Sequence, residues 1–134
     1  MEVPLKPLGR EDIRKLESAL LVMSLFDREA LEAMRDPSAR LTWIDSLYTA
    51  AAALARERAG ISISKIAEEL GVTEATIRRH LKGETKAGQL VSRAYEKLAK
   101  EGLKVEFDCT KQLEELRAKI EEVKKALSEI LARL

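Results

Sequence analysis

GISISKIAEELGVTEATIRRHLKG, residues Gly60 to Gly83, holds two short helical patterns separated by a single glycine. Ser62 and Thr73 each stand where a side-chain oxygen can take up the unpaired N–H groups of a helix start. A hydrophobic staple flanks each cap: Ile61 can pack on Ile66, and Val72 on Ile77. Gly71 falls where the first helix must end and the chain turn sharply, a place that favours positive φ. Ala67 is small where the two helices would cross, and Ile66, Leu70, Val72 and Ile77 supply an apolar inner face. Two caps, two staples and a turn glycine together spell a helix-turn-helix, although a tight helical hairpin of another purpose could use the same parts.

Composition sets the frame around this motif. The 134 residues are 46% hydrophobic but only 4% aromatic, so the core is built from Ala, Leu, Ile and Val. Three prolines and six glycines are too few for a loop-rich β fold, and the expected class is all-α. Lys and Arg number 24 against 23 Asp and Glu, so net charge identifies no partner. Its distribution is more telling. Thr76–Lys100 carries seven basic groups and two acidic ones, starting inside the second helix of the motif, where phosphate contacts would be needed. One cysteine, Cys109, excludes an intrachain disulfide and a multi-cysteine zinc site; one histidine, His80, argues against a His-based metal cluster. No cofactor is expected. The apolar run Ala19–Phe26 is too short to span a membrane, and a cytoplasmic protein is expected. The absence of asparagine and a charged fraction of 35% fit a thermophile.

Outward from the motif, the organisation reads as three parts. Residues 1–37 form an N-terminal helical segment, 38–104 the helix-turn-helix domain, and 105–134 a short strand with a C-terminal interaction helix. Residues 1–10, with Pro4, Pro7 and Gly9, should be extended. Ile13, Leu16, Leu20 and Met23 then define an amphipathic helix. Phe26, Asp27 and Leu31 open a second, short helix that ends near Arg35, before Asp36-Pro37. The pair should form a hairpin packed on the motif or on another subunit. Thr42 with Asp45 resembles a capping box for a long helix to about Ala59, with Ile44, Leu47, Tyr48, Ala51, Leu54 and Ala55 on one face. A further helix over roughly 87–100 turns Leu90, Val91, Ala94, Tyr95 and Leu98 inward. Leu103, Val105 and Phe107 alternate with charged residues, the period of a short strand, whose partner would be Val3–Leu5 or the same strand of a second subunit. Finally Leu113, Leu116, Ile120, Val123, Leu127, Ile130 and Leu134 recur at spacings of three and four. This is an a/d heptad pattern that serves either a coiled coil or a helix lying on its own domain.

In a helix-turn-helix the second helix enters the major groove. With Ile77 and Leu81 inward, Glu74, Ala75, Arg78, Arg79 and Lys82 face out. Arg78 is placed for base readout, since a guanidinium matches guanine O6 and N7, and Glu74 could accept from cytosine N4. Thr73 would offer its N–H to a phosphate at the helix start. Arg79, Lys82 and Lys86 would hold phosphates. His80 should be a packed, hydrogen-bonded histidine, and Cys109 a buried rather than a reactive thiol.

ISKIAEELGVTEATIRRHL resembles the helix-turn-helix of bacterial response regulators and of sigma-factor region 4, including its His-Leu ending. The longer string LTWIDSLYTAAAALARERAG, followed by that motif and GETKAGQLV, resembles a small archaeal family of regulatory domains encoded beside KaiC-like ATPases. The match spans about Leu41 to Leu98. It implies a regulatory role, with a KaiC-like ATPase as a partner. Two readings follow. The chain is a DNA-binding transcriptional regulator acting as a homodimer on double-stranded DNA. Alternatively, it is an adaptor of a KaiC-like ATPase, or of another protein with an acidic-flanked helix, in which the motif is scaffold. Glu68, Glu69 and Glu74, on or beside the DNA side, favour the second. No phosphate loop, nucleophile–base arrangement or metal spacing points to an enzyme.

Overall fold

Ala50-Ala51-Ala52-Ala53-Leu54-Ala55 is buried at every position. Six consecutive helical residues point in every direction around the axis, so the helix that carries them must be covered on all sides. That helix, α3 (Pro37–Arg58), is the axis of the fold. The computed structural model describes residues 2–105 and 110–134. Among them α1 (Arg10–Leu25), α2 (Arg28–Ala33), α4 (Ile63–Leu70), α5 (Glu74–Leu81) and α6 (Lys86–Glu101) all pack directly against α3. The all-α expectation holds.

The covering is two-sided. On one side Ala50, Ala51, Leu54 and Ala55 join Ile13, Leu16, Leu20 of α1 and Leu90, Val91, Ala94, Leu98 of α6 in the larger core. On the other, Ala53 joins Ile66, Ala67 and Ile77 of the motif, with Ile61, Leu70 and Val72 around them. Methyl side chains let neighbours approach from both directions, which is why alanine fills this stretch. The single-faced reading of α3 is corrected accordingly: Ala50, Ala52 and Ala53 are as buried as the predicted stripe, whereas Ile44 and Tyr48 are about 40% exposed.

The start of α3 differs too. Asp36 is the N-cap and its carboxylate accepts from the Ser38 N–H at 3.0 Å, with Pro37 in the first turn. A proline that cannot continue one helix is well placed to begin another, because its missing N–H is an orphan there anyway. The capping-box reading of Thr42 and Asp45 therefore gives way to a cap six residues earlier, and both lie inside the helix. Pro37, assigned above to the N-terminal segment, is the first residue of α3. The preceding short helix α2 is capped by Asp27, as its sequence implies.

The predicted strand is also corrected. No strand occurs among the described residues, and 103–105 run irregularly after Gly102. Glu106, Phe107 and Cys109 lie outside the described residues. Val3 and Leu5 pair with no strand; they pack on the larger core, and the Tyr95 hydroxyl donates to the Leu5 carbonyl at 3.0 Å. Helix α7 (Thr110–Ala132) lies against none of the other helices. Its six a/d side chains, and Leu134 just beyond it, are each at least 46% exposed, so packing on its own domain is not the arrangement seen.

Candidate nucleic-acid interface

Both motif helices are only eight residues long, too short to persist unsupported, and they depend on caps and burial. The Ser62 hydroxyl accepts from the Lys65 N–H (3.3 Å) and the Thr73 hydroxyl from the Thr76 N–H (3.1 Å). Gly71 adopts φ 68°, ψ 32°, the left-handed conformation expected of the turn. Ile66 and Ile77 are fully buried, and Ile61 and Val72 pack on the same cluster, in keeping with the two staples.

What is left outside α5 is the proposed reading surface. Thr73, Glu74, Ala75, Arg78, Arg79 and Lys82 are all exposed, while Ile77 and His80 are buried between them. Leu81 is half-buried. Arg78 is held in an i,i+4 pair with Glu74 at 3.6 Å. Arg79 and Lys82 have no ion-pair partner among the described residues. Lys86 stands apart from them. It opens α6 and pairs with Glu29 of α2 at 3.0 Å, where Arg93 also approaches at 3.5 Å. The Lys86 ammonium holds the Glu29 carboxyl below the usual carboxylate range.

The rear of α5 is tied to α6 through one histidine. His80 Nδ1 lies 2.7 Å from the Thr85 hydroxyl, which accepts the Gly88 N–H at 3.0 Å as the cap of α6. Burial, and then the nearby charge of Arg79, push the His80 pKa below its ordinary value, so the imidazole is neutral at pH 7. It is the packed, hydrogen-bonded histidine the sequence implied. Gly88 permits this junction. A Cβ there would sit 2.2 Å from the His80 carbonyl oxygen. The role of Gly88 was missed above, since one glycine inside a helical pattern does not reveal what approaches it.

A second tie fixes α4. Arg56 of α3, largely buried, donates from Nη1 to Glu17 of α1 (2.7 Å) and from Nε to Glu69 of α4 (3.0 Å). Arg10 closes on Glu69 from the other side at 2.7 Å. These two guanidinium groups bring the Glu69 pKa down to about 2. Glu69 thus belongs to the scaffold and not to the DNA side, which removes one of three acidic residues counted for the adaptor reading. Sequence separation hid this, because its partners lie 59 and 13 residues away. Glu68 remains exposed beside Lys65.

Among the described residues no group of His, Cys, Asp or Glu could hold a metal ion, and no helix is long and apolar enough to cross a membrane. A family described as a homeodomain-like domain matches residues 46–90, which run from within α3 to the first turns of α6. A relative in Methanocaldococcus jannaschii, "Uncharacterized protein MJ1053", is 48% identical over 128 residues, covering 92% of this chain and 78% of its own length. No solved structure matches the chain.

Proposed function

This chain belongs to the family of the Methanocaldococcus jannaschii protein MJ1053, and from its residues we propose that it is a DNA-binding transcriptional regulator. The supporting observation is the sidedness of α5: Ile77 and His80 buried behind it, and an exposed face in front with two cations, Arg79 and Lys82, that have no ion-pair partner among the described residues. In this reading Arg78 leaves Glu74 to meet a guanine edge, while Arg79 and Lys82 take phosphates on either side. The Thr73 N–H serves a phosphate at the helix start. Lys86 would first have to release Glu29. The regulator acts as a homodimer joined through α7, in the cytoplasm, and no catalytic chemistry is assigned to it.

Selection of bound duplexes from a random pool tests the reading. The wild type should enrich one motif, palindromic if the dimer is two-fold. Arg78→Ala should relax preference at one base pair at a cost of about 1–3 kcal/mol. A wild type that binds no duplex even at low salt would end the proposal.

A second reading draws on α7. Its uncovered apolar seam is flanked by Arg117 and Lys124 on one edge and Lys119 and Arg133 on the other, with glutamates further out. In a parallel pair of identical helices Lys119 faces Lys124, so the charge pattern favours an acidic-flanked helix of another protein, for which a KaiC-like ATPase is the candidate. Deleting 110–134 and measuring mass separates the two. A dimer turning monomer supports self-pairing; unchanged mass with loss of ATPase binding supports the adaptor.

A further inference from the structure

Between the first turns of α3 and the Thr76–Arg79 flank of α5 lies an open cleft of about 340 Å³. Thr42, Trp43 and Ser46 line it from α3, and Thr76, Arg79 and His80 from α5, with Thr85 and Lys86 at its end. Its chemistry is one-sided. It contains hydroxyl groups and cations but no carboxylate. The hydroxyls of Thr42 and Ser46 and the guanidinium of Arg79 have no hydrogen-bond or ion-pair partner among the described residues. By contrast, the Thr76 and Thr85 hydroxyls are already engaged, with Thr73 and with His80 and the Gly88 N–H. An open site that leaves a cation and two neutral donors free of protein partners among the described residues, beside a half-buried indole, is suited to an oxyanion carried on an organic body. No residue of α4 lines it, and it shares Arg79 with the exposed face of α5.

We propose that this cleft is a phosphate site, Arg79 supplying the charge and Thr42 and Ser46 the neutral donors, and that it holds a backbone phosphate of the bound duplex. The assignment to DNA rests on the reading of α5 given above; the phosphate chemistry does not. It adds α3 to the interface, extending it beyond the motif. Trp43, the chain's one tryptophan, lines the cleft and supplies a single fluorescent probe for testing occupancy.

The test uses the full chain, duplex DNA over a range of salt, and ATP and inorganic phosphate as free probes. Thr42→Val with Ser46→Ala, which retains shape and helix, should weaken binding to every duplex roughly tenfold with an unchanged salt slope, because neutral donors release no counterion. Arg79→Ala should reduce that slope by about one. Duplex should change Trp43 emission in the wild type and less in the double variant. If the double variant binds duplexes as the wild type does, the cleft proposal is overturned while the regulator reading stands. If the wild type binds no duplex, yet ATP or phosphate perturbs Trp43 and the variants abolish the response, the phosphate site stands and its assignment to DNA is overturned. Silence from all three probes overturns both.

Discussion

The motif helices and α7 share one pattern, apolar residues at spacings of three and four, and meet opposite fates. Ile66 and Ile77 are wholly covered, whereas Ile120 of α7 is 46% exposed, and nothing in α7 is buried. The motif helices are helical because they are packed: at eight residues, nucleation cost outweighs what their own hydrogen bonds return. With 23 residues, good helix formers and an i,i+3 pair between Lys124 and Glu121, α7 can hold its shape on local terms. Periodicity therefore marks which face is apolar in both regions. What covers that face is a separate matter, decided by the rest of the fold for one region and by nothing else among the described residues for the other.

The sharpest way to break the contrast is the same truncation in both places. Ile77→Ala should cost about 2–5 kcal/mol in denaturant melts, since it empties a filled site and removes a staple contact. Gly88→Ala should come next, at about 1–3 kcal/mol, because the new methyl group meets backbone that cannot swing aside. Thr73→Ala should cost about 1 kcal/mol through the lost cap. Ile120→Ala should lie within about 0.5 kcal/mol of zero in a dilute, monomeric chain. A larger, concentration-dependent loss at Ile120 would show that α7 is already paired in solution, and would make the two regions alike. A last effect is one of acidity. The His80 pKa is lowered by folding, so stability is complete above about pH 6.5 and falls as pH drops through the folded value. Melting temperature should decline from pH 7 toward 5.5 and flatten in His80→Gln. A wild-type profile already flat there would mean that the imidazole is not desolvated.

Local chemistry was legible in the sequence, and distant chemistry was not. Ser62, Gly71, Thr73 and Asp27 act on residues two to four positions away, and each was read correctly from its neighbours. The face of α5 followed from the same local logic. The start of α3 failed because Asp36-Pro37 was read only as a stop, although the same two residues make a cap and a first turn. The double-sided burial of α3 was obscured by alanine, whose methyl group marks no particular side. Glu69, Gly88 and the cleft beside Trp43 each depend on a residue brought close by folding, and no spacing in the chain announces such meetings.

Arg56 has one further consequence. A single guanidinium serves carboxylates from two helices, so α1, α3 and α4 are clasped by a chain of four charges, Arg10–Glu69–Arg56–Glu17, in addition to their apolar packing. The hydration such ions give up weakens with heat, while apolar burial levels off. The clasp accordingly tightens, relative to the rest of the fold, as the temperature climbs. The first motif helix is thereby held to α1 and α3 partly by a kind of contact that warming favours.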